Sequence, residues 1–225
     1  MCTFLTWSMS EVSVVSLDFA GTIAPKDFID YFWLTLIPKF YSLKYGVGIE
    51  EAYRYVISEY ESVSTDDVNW YLPNYWLERF GLIEYRDVML SMLNDYVTVY
   101  SEVPTVLTKL RENGIEIVIV SNTAIEFIDV FFNKYGELRK FFSKVYSCVS
   151  HFGIPRKSKE FYLRVIEDLG VKPSNVVHVG DDVVYDFEVP RSLGIKAYLL
   201  DRSGKRKSPL TISSLTELLD LVLKK

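Results

Sequence analysis

Two textures alternate along this chain: short apolar runs that stop abruptly at polar residues, and segments whose apolar residues recur every three or four positions. The first run, Val14-Val15-Ser16-Leu17, ends at Asp18, and Phe19, Ala20, Gly21 and Thr22 follow at once. A continuous apolar run reads as a strand buried on both faces, and its abrupt end delivers Asp18 to the strand's C-terminal edge. The same pattern recurs at 115–120 before Ser121 and Asn122, and at 175–179 before Gly180, Asp181 and Asp182. Further strands are expected at 144–149 and 195–200. Helices are expected at 103–113, 124–135, 159–169 and 213–223; Gly114 and Gly170 close the first and third, and Ser213 or Ser214 opens the last. Strands separated by helices predict an α/β fold built on a doubly wound parallel sheet.

Residues 24–100 differ. Phe28, Tyr31, Phe32, Thr35 and Leu36, and later Ala52, Tyr53, Val56, Ile57 and Tyr60, carry helical spacing and no strand pattern. Breaks are expected at Pro38, 46–48, 64–67, Pro73 and Gly81, giving four or five short helices. So long an insert exceeds a crossover, which predicts a small all-helical cap domain at 24–100 beside a core of 1–23 and 101–225. Most of its aromatic residues, among them Trp33, Tyr53, Trp70, Tyr71 and Trp76, are expected to pack helix on helix rather than line a pocket. Arg54 and Arg79 are the cap cations within range of a substrate carboxylate.

Composition narrows the function. The 225 residues are 49% hydrophobic with a formal net charge of -5, which argues against a nucleic-acid footprint. The one dense basic run, 202–207, sits among Gly and Ser and reads as a solvated turn. Cys2 and Cys148 are far apart and lack zinc-ligand spacing, so neither a disulfide framework nor a zinc site is expected. The first residues lack the basic and apolar regions of a signal peptide, no apolar run approaches the ~18 residues of a membrane span, and a cytoplasmic location is expected. Met9 is a candidate start, since the periodic sequence begins just after it.

Asp18, Ser121, a lysine within 156–159, and Asp181 with Asp182 and Asp186 all fall at strand ends or adjoining loops. Together they offer an attacking carboxylate, a hydroxyl, a cation and an acidic seat for a metal, the components of a phosphoryl-transfer site. Clustered carboxylates with hard oxygen donors suit Mg²⁺. Each group also has a plainer role open to it: Ser121 as a helix cap, Lys157 as a surface charge, Asp186 as a helix-start carboxylate. His178 reads as a satisfied core residue, and His151 lies near the lysine loop.

In this combination the chain resembles the haloacid dehalogenase superfamily. Asp18-Phe-Ala-Gly-Thr22, Ser121-Asn122, Lys157 with Lys159 as a competitor, and Gly180-Asp-Asp-Val-Val-Tyr-Asp186 are similar to its four motifs, and the helical insert is similar to its first cap class. The resemblance implies a Rossmann-like core and a small phosphorylated substrate. Asp18 would attack phosphorus, Ser121 would bind the phosphoryl oxygens and Lys157 would steady the charge. Mg²⁺ would sit on Asp18, the Ala20 carbonyl and Asp181, with Asp186 or Asp182 orienting it. Phe19 and Gly21, through their amides, with Thr22 and Asn122, would complete the binding loop.

Ala20 departs from the family pattern. Phosphatases of this superfamily carry a second Asp there as general acid and base, work typically worth ~10²- to 10⁴-fold in rate. Its absence points to acyl or aryl phosphates, whose leaving groups depart without protonation, or to a proton donor from the cap. Phosphonoacetaldehyde hydrolases also have alanine there, yet they need an imine-forming cap lysine where this chain has 55–60 without one, leaving only Lys39 or Lys44. Haloacid dehalogenases dispense with the metal seat that Asp181 retains. A non-catalytic relative that binds a phosphorylated ligand is the remaining alternative.

Overall fold

The computed structural model describes residues 12–206 and 208–223; Cys2, Met9 and Lys207 lie outside them. Six parallel strands form one sheet in the order β3-β2-β1-β4-β5-β6. They are β1 (Val14–Leu17), β2 (Glu116–Ser121), β3 (Lys144–Ser147), β4 (Val176–Gly180), β5 (Lys196–Leu200) and the two-residue β6 (Thr211–Ile212). In β1 and β4 every residue is buried, which explains their mostly apolar character; the exceptions, Ser16 and His178, satisfy each other by a hydrogen bond at 2.8 Å. The chain runs from β1 to β2 on one side and later returns to β4 on the other. Its winding therefore reverses between β1 and β4, where open α/β sheets form a crevice at their C-terminal ends. Asp18 follows one of these strands and Asp181 the other.

Between β1 and β2 lie α1 (Asp27–Tyr31), α2 (Ile37–Tyr45), α3 (Ile49–Glu61), α4 (Pro73–Arg79) and α5 (Arg86–Met92). Gly46 ends α2, and Pro73 opens α4 at a position where its missing N–H costs nothing. Pro38 does not break the chain as expected. A π-helical turn, Phe32–Leu36, joins α1 to α2 without interruption. Proline clashes with the carbonyl four residues back, and a wider turn just before it makes room for the ring.

The insertion shares one continuous hydrophobic cluster with the sheet and its helices. Phe28 and Phe32 meet Phe127 edge to face at 6.2 and 5.2 Å, and Phe19 meets Phe28 and Phe131 in the same way. Phe127 and Phe131 belong to α7 (Ile125–Lys134), and α6 (Val103–Glu112) precedes β2. After α7 come the short α8 (Gly136–Arg139) and then β3. The strand expected to reach residue 149 stops at Ser147. There the side chain accepts from the Ser150 amide and starts α9 (Cys148–Phe152), since a cap offers those amides a partner the strand lacks. α10 (Lys159–Leu169), α11 (Val189–Ser192) and α12 (Leu215–Val222) complete the chain, with Ser214 capping the last. Among the described residues, no helix is long and apolar enough to cross a membrane.

Candidate active site

The site starts from the turn that leaves β1. The Asp18 amide donates to the Val179 carbonyl at 2.8 Å, locking the end of β1 to β4. Phe19's carbonyl accepts from the amides of Ile23 and Ala24, which folds 19–24 into a tight loop, while Phe19's ring goes into the core. Gly21 has φ +88°, and a Cβ there would lie 2.5 Å from Asp181 Oδ2, so glycine both permits the turn and lets Asp181 approach. The expectation that its amide faces an anion is corrected: it donates to the Ala24 carbonyl at 2.7 Å, because the loop closes on itself. Thr22 is fully buried, and its hydroxyl finds no partner among the described residues.

Lys157 enters from the loop before α10. Its ammonium donates to Asp18 Oδ1 at 2.6 Å and to Asp186 Oδ1, and all three groups are buried. The surface-charge role for Lys157 is thereby excluded, whereas Lys159 is exposed at the start of α10. Burial alone would push the Lys157 ammonium down, but the charges of Asp18 and Asp186 outweigh it and hold it above its usual range. Burial pushes the Asp18 carboxyl up to about 7 against the pull of Lys157, helped by the charges of Asp186 and Asp181. Asp186 goes the other way: burial raises it, yet the Lys157 charge and a His178 hydrogen bond hold it well below the carboxylate range.

Asp186 is saturated with donors. Besides Lys157, it accepts from His178 Nε2 at 2.9 Å and from the Asp182 amide at 3.0 Å. Since a carboxylate only accepts, Nε2 carries the proton, and Nδ1 takes the Ser16 hydroxyl at 2.8 Å. Burial lowers the His178 pKa and keeps the ring neutral, as a satisfied core residue. A Cβ on Gly180 would collide with the Asp186 carboxyl, so glycine is what allows this approach. Asp182 caps the next turn by accepting from the Val184 and Tyr185 amides.

Oxygens of Asp18, Asp181 and Asp186 lie within 4.8 Å of one another. Such a set of hard anionic donors fits a divalent cation of the Mg²⁺ type. Asp18 and Asp181 retain oxygens for it, whereas Asp186 is engaged by its three donors and suits an orienting role. Lys26, which sequence reasoning did not single out, donates to Asp181 Oδ2 at 2.7 Å, with its side chain about half exposed.

Over this floor lies a cavity of about 520 Å³, lined by Asp18, Ala20, Lys26, Lys157, Asp181 and Asp186 below, and by Asn122 and Thr123 at the end of β2. Ser121 is buried behind that wall, its hydroxyl bonded to the Thr123 hydroxyl and amide at 3.1 Å, and it does not cap α7, whose N-terminus at Ala124 has no side-chain cap. His151 is exposed and accepts from the Ser147 amide, away from the cavity. Arg79 pairs with Glu59, and Arg54 lines an outer groove, so neither cap cation reaches the site. The aromatic expectation is corrected: Trp33, Trp70, Tyr71 and Trp76 all line the cavity, and of the residues named only Tyr53 lies elsewhere. Periodicity shows that a helix has an apolar side, not which neighbour that side meets.

Arg202 is a second correction. Instead of lying in a solvated turn, its guanidinium donates to the Gly21 and Thr22 carbonyls at 3.1 and 2.7 Å and to Glu102 at 2.6 Å, and stacks 3.4 Å over the Tyr100 ring. The C-terminal edge of the sheet thus latches the loop that follows Asp18.

Comparison with known proteins agrees with this geometry. The chain is 26% identical to the GMP/IMP nucleotidase YrfG of Escherichia coli over 192 residues, 82% of this chain and 83% of that protein. It is 29% identical to a glyceraldehyde 3-phosphate phosphatase of Methanocaldococcus jannaschii over 63% of this chain and 62% of that one. Among solved structures, a HAD phosphatase from Thermococcus onnurineus superposes with a TM-score of 0.79 at 25% identity, covering 94% of this chain and 98% of that one. The L-2-haloacid dehalogenase of Xanthobacter autotrophicus shares the fold, with a TM-score of 0.58 at 18% identity over 94% and 98%. A family model for haloacid dehalogenase-like hydrolases matches residues 12–194, a span that takes in every carboxylate of the site together with Lys157, and the chain belongs to that family of hydrolases.

Proposed function

We propose that this enzyme is a Mg²⁺-dependent phosphatase of small phosphorylated metabolites that works through an aspartyl-phosphate on Asp18, with residues 24–100 as a cap over the site. The observation that carries the reading is the buried Lys157 bridge between Asp18 and Asp186, with Asp181 alongside, at the floor of the cavity. Similarity to a nucleotidase and to a sugar-phosphate phosphatase supports the same class of substrate.

Asp18 Oδ attacks phosphorus in line with the departing oxygen, which leaves with its bonding pair. Lys157 neutralises part of the charge that gathers on Asp18 and the phosphoryl group, in a site dry enough for that charge to count. Lys157 itself is held in place by Asp186, which His178 and the Asp182 amide steady from behind. A divalent cation on Asp18 and Asp181, with the Ala20 carbonyl, would offset the carboxylate charge and draw in the phosphoryl oxygens. Water then cleaves the acyl phosphate and restores Asp18. Asn122 and Thr123, at the cavity wall, are placed to meet the phosphoryl oxygens.

An acidic seat beside Asp18 favours this chemistry over metal-free dehalogenation. Lys44 is bound to Glu84 and the Gly81 carbonyl, so it cannot serve as an imine-forming lysine at the site. The test is hydrolysis of p-nitrophenyl phosphate with and without Mg²⁺. Turnover that needs the metal and vanishes in Asp18→Asn is the expected result, and chloride release from a 2-haloacid without Mg²⁺ would overturn it.

A further inference from the structure

The upper wall of the cavity is aromatic, and the hydroxyls of Tyr60 and Tyr71 and the Trp76 indole N–H are spent within the protein. Tyr60 donates to the Trp33 carbonyl at 3.2 Å, Tyr71 to the Thr65 carbonyl at 3.2 Å, and Trp76 Nε1 to the Trp70 carbonyl at 3.0 Å. The rings also fix one another edge to face: Trp33 against Tyr60 and Phe127, Tyr60 against Trp76, and Trp70 against Tyr71, with centroids 4.7 to 6.0 Å apart. What Trp33, Tyr60, Trp70, Tyr71 and Trp76 offer a ligand is therefore chiefly held ring surface, with neither tyrosine hydroxyl among them left to donate to a polyol. Among the described residues lining the cavity, the cations are Lys26 and Lys157, and each is already paired with floor carboxylates. Asp30 and Asp182 line it too, so a leaving group with its own carboxylate meets no free cation there and like charge instead.

From these features we infer that the substrate is an aryl phosphate monoester, with an aromatic ring that is not anionic seated against Trp33 and Trp70 and its phenolic oxygen carried directly on phosphorus. The inference deepens the phosphatase reading and rests on it. A volume of about 520 Å³ suits a bicyclic ring and is largely unfilled by an acetyl group. Ala20, on the floor, holds no proton, which an alkoxide needs on departure and a phenolate does not. In the first step the Asp18 oxygen bonds to phosphorus, the P–O(aryl) bond breaks, and its electron pair leaves as phenolate, which takes a proton from solvent. In the second, water attacks phosphorus and releases inorganic phosphate and the Asp18 carboxylate.

The experiment compares kcat/KM for 1-naphthyl phosphate, phenyl phosphate, glycerol 2-phosphate and acetyl phosphate in the wild type and in Trp33→Leu and Trp70→Leu. The expected order places 1-naphthyl phosphate first and glycerol 2-phosphate at least about tenfold behind, the worth of one good aromatic contact with the area it buries. Either substitution should cut the ratio of naphthyl to acetyl turnover about tenfold, mainly through KM. Glycerol or acetyl phosphate matching the aryl esters, or variants that lose all substrates in equal proportion, overturns the aryl assignment while leaving a phosphatase. No turnover of any phosphate overturns the underlying reading as well. Should the variants fail to fold, titration calorimetry of Asp18→Asn decides: phenyl phosphate binding at least about tenfold tighter than inorganic phosphate supports the assignment, and equal affinity refutes it.

Discussion

Removing the Arg202 guanidinium tests whether the loop after β5 holds the loop that follows Asp18. In Arg202→Ala two charged hydrogen bonds to backbone carbonyls disappear, each worth about 1.5 kcal/mol at the low end of the range for ionic donors. The stack on Tyr100 adds about 1 kcal/mol, and the Glu102 pair, at 22% and 16% side-chain exposure, adds less than that after solvent screening. A loss of about 4 kcal/mol is expected, which for a chain of this length lowers Tm by roughly 8 to 16 °C. Freed carbonyls at Gly21 and Thr22 let the loop after Asp18 drift, and a displacement of about 1 Å at a reacting group can cost ~10²-fold in rate. Urea unfolding reads the first effect as a lower midpoint at unchanged slope, and kcat for p-nitrophenyl phosphate reads the second. Arg202→Lys keeps the charge but not the fork, so it should recover only part of both. Burial raises the Glu102 carboxyl, but its hydrogen bond to Arg202 and a backbone amide lower it more, so its net shift is downward. A carboxylate lowered in the fold stabilises above its ordinary range and loses that contribution as pH falls through the folded value. The gap between wild type and Arg202→Ala should therefore narrow below about pH 4.5. An alanine variant with the wild-type midpoint and kcat would refute the latch.

Other expectations follow from the buried site. Lys157→Met leaves Asp18 and Asp186 without their shared cation and should cost about 3 to 5 kcal/mol along with all turnover, whereas the exposed Lys159→Met should stay within about 0.5 kcal/mol in the same unfolding assay. Ala20→Asp puts a proton donor on the cavity floor and should raise kcat/KM for glycerol 2-phosphate by about tenfold or more, with little gain for acetyl phosphate. Cys148 is buried and its thiol is pushed up to about 12, chiefly by burial, so in a Cys2→Ser background a disulfide reagent at pH 8 should label it only as fast as the protein unfolds. Gly180→Ala drives a methyl into the Asp186 carboxyl and should abolish Mg²⁺-dependent turnover, measured beside circular dichroism to confirm the fold.

Local pattern carried a large share of this protein's design. Buried parallel strands are mostly apolar and end where the chain meets solvent or ligand, so Asp18 and Asp181 stood out as strand ends, and the alternation of β and α specified the parallel sheet. The helical character of the insertion was legible for the same reason, since spacing along the chain is what periodicity measures. Pairings between distant residues were not. Arg202 grips carbonyls at 21 and 22, Lys26 reaches Asp181, and Lys157 rather than Lys159 turns inward, because each choice depends on which loops the sheet order sets side by side. Trp33, Trp70, Tyr71 and Trp76 look like packing residues until the insertion is laid over the strand ends and they roof the cavity. Sequence alone determined which segments become strands and helices, through apolar spacing and capping. Only the tertiary structure decided which charges share a buried site and which rings face it, because burial and Coulomb energies depend on distance in space and not on distance along the chain.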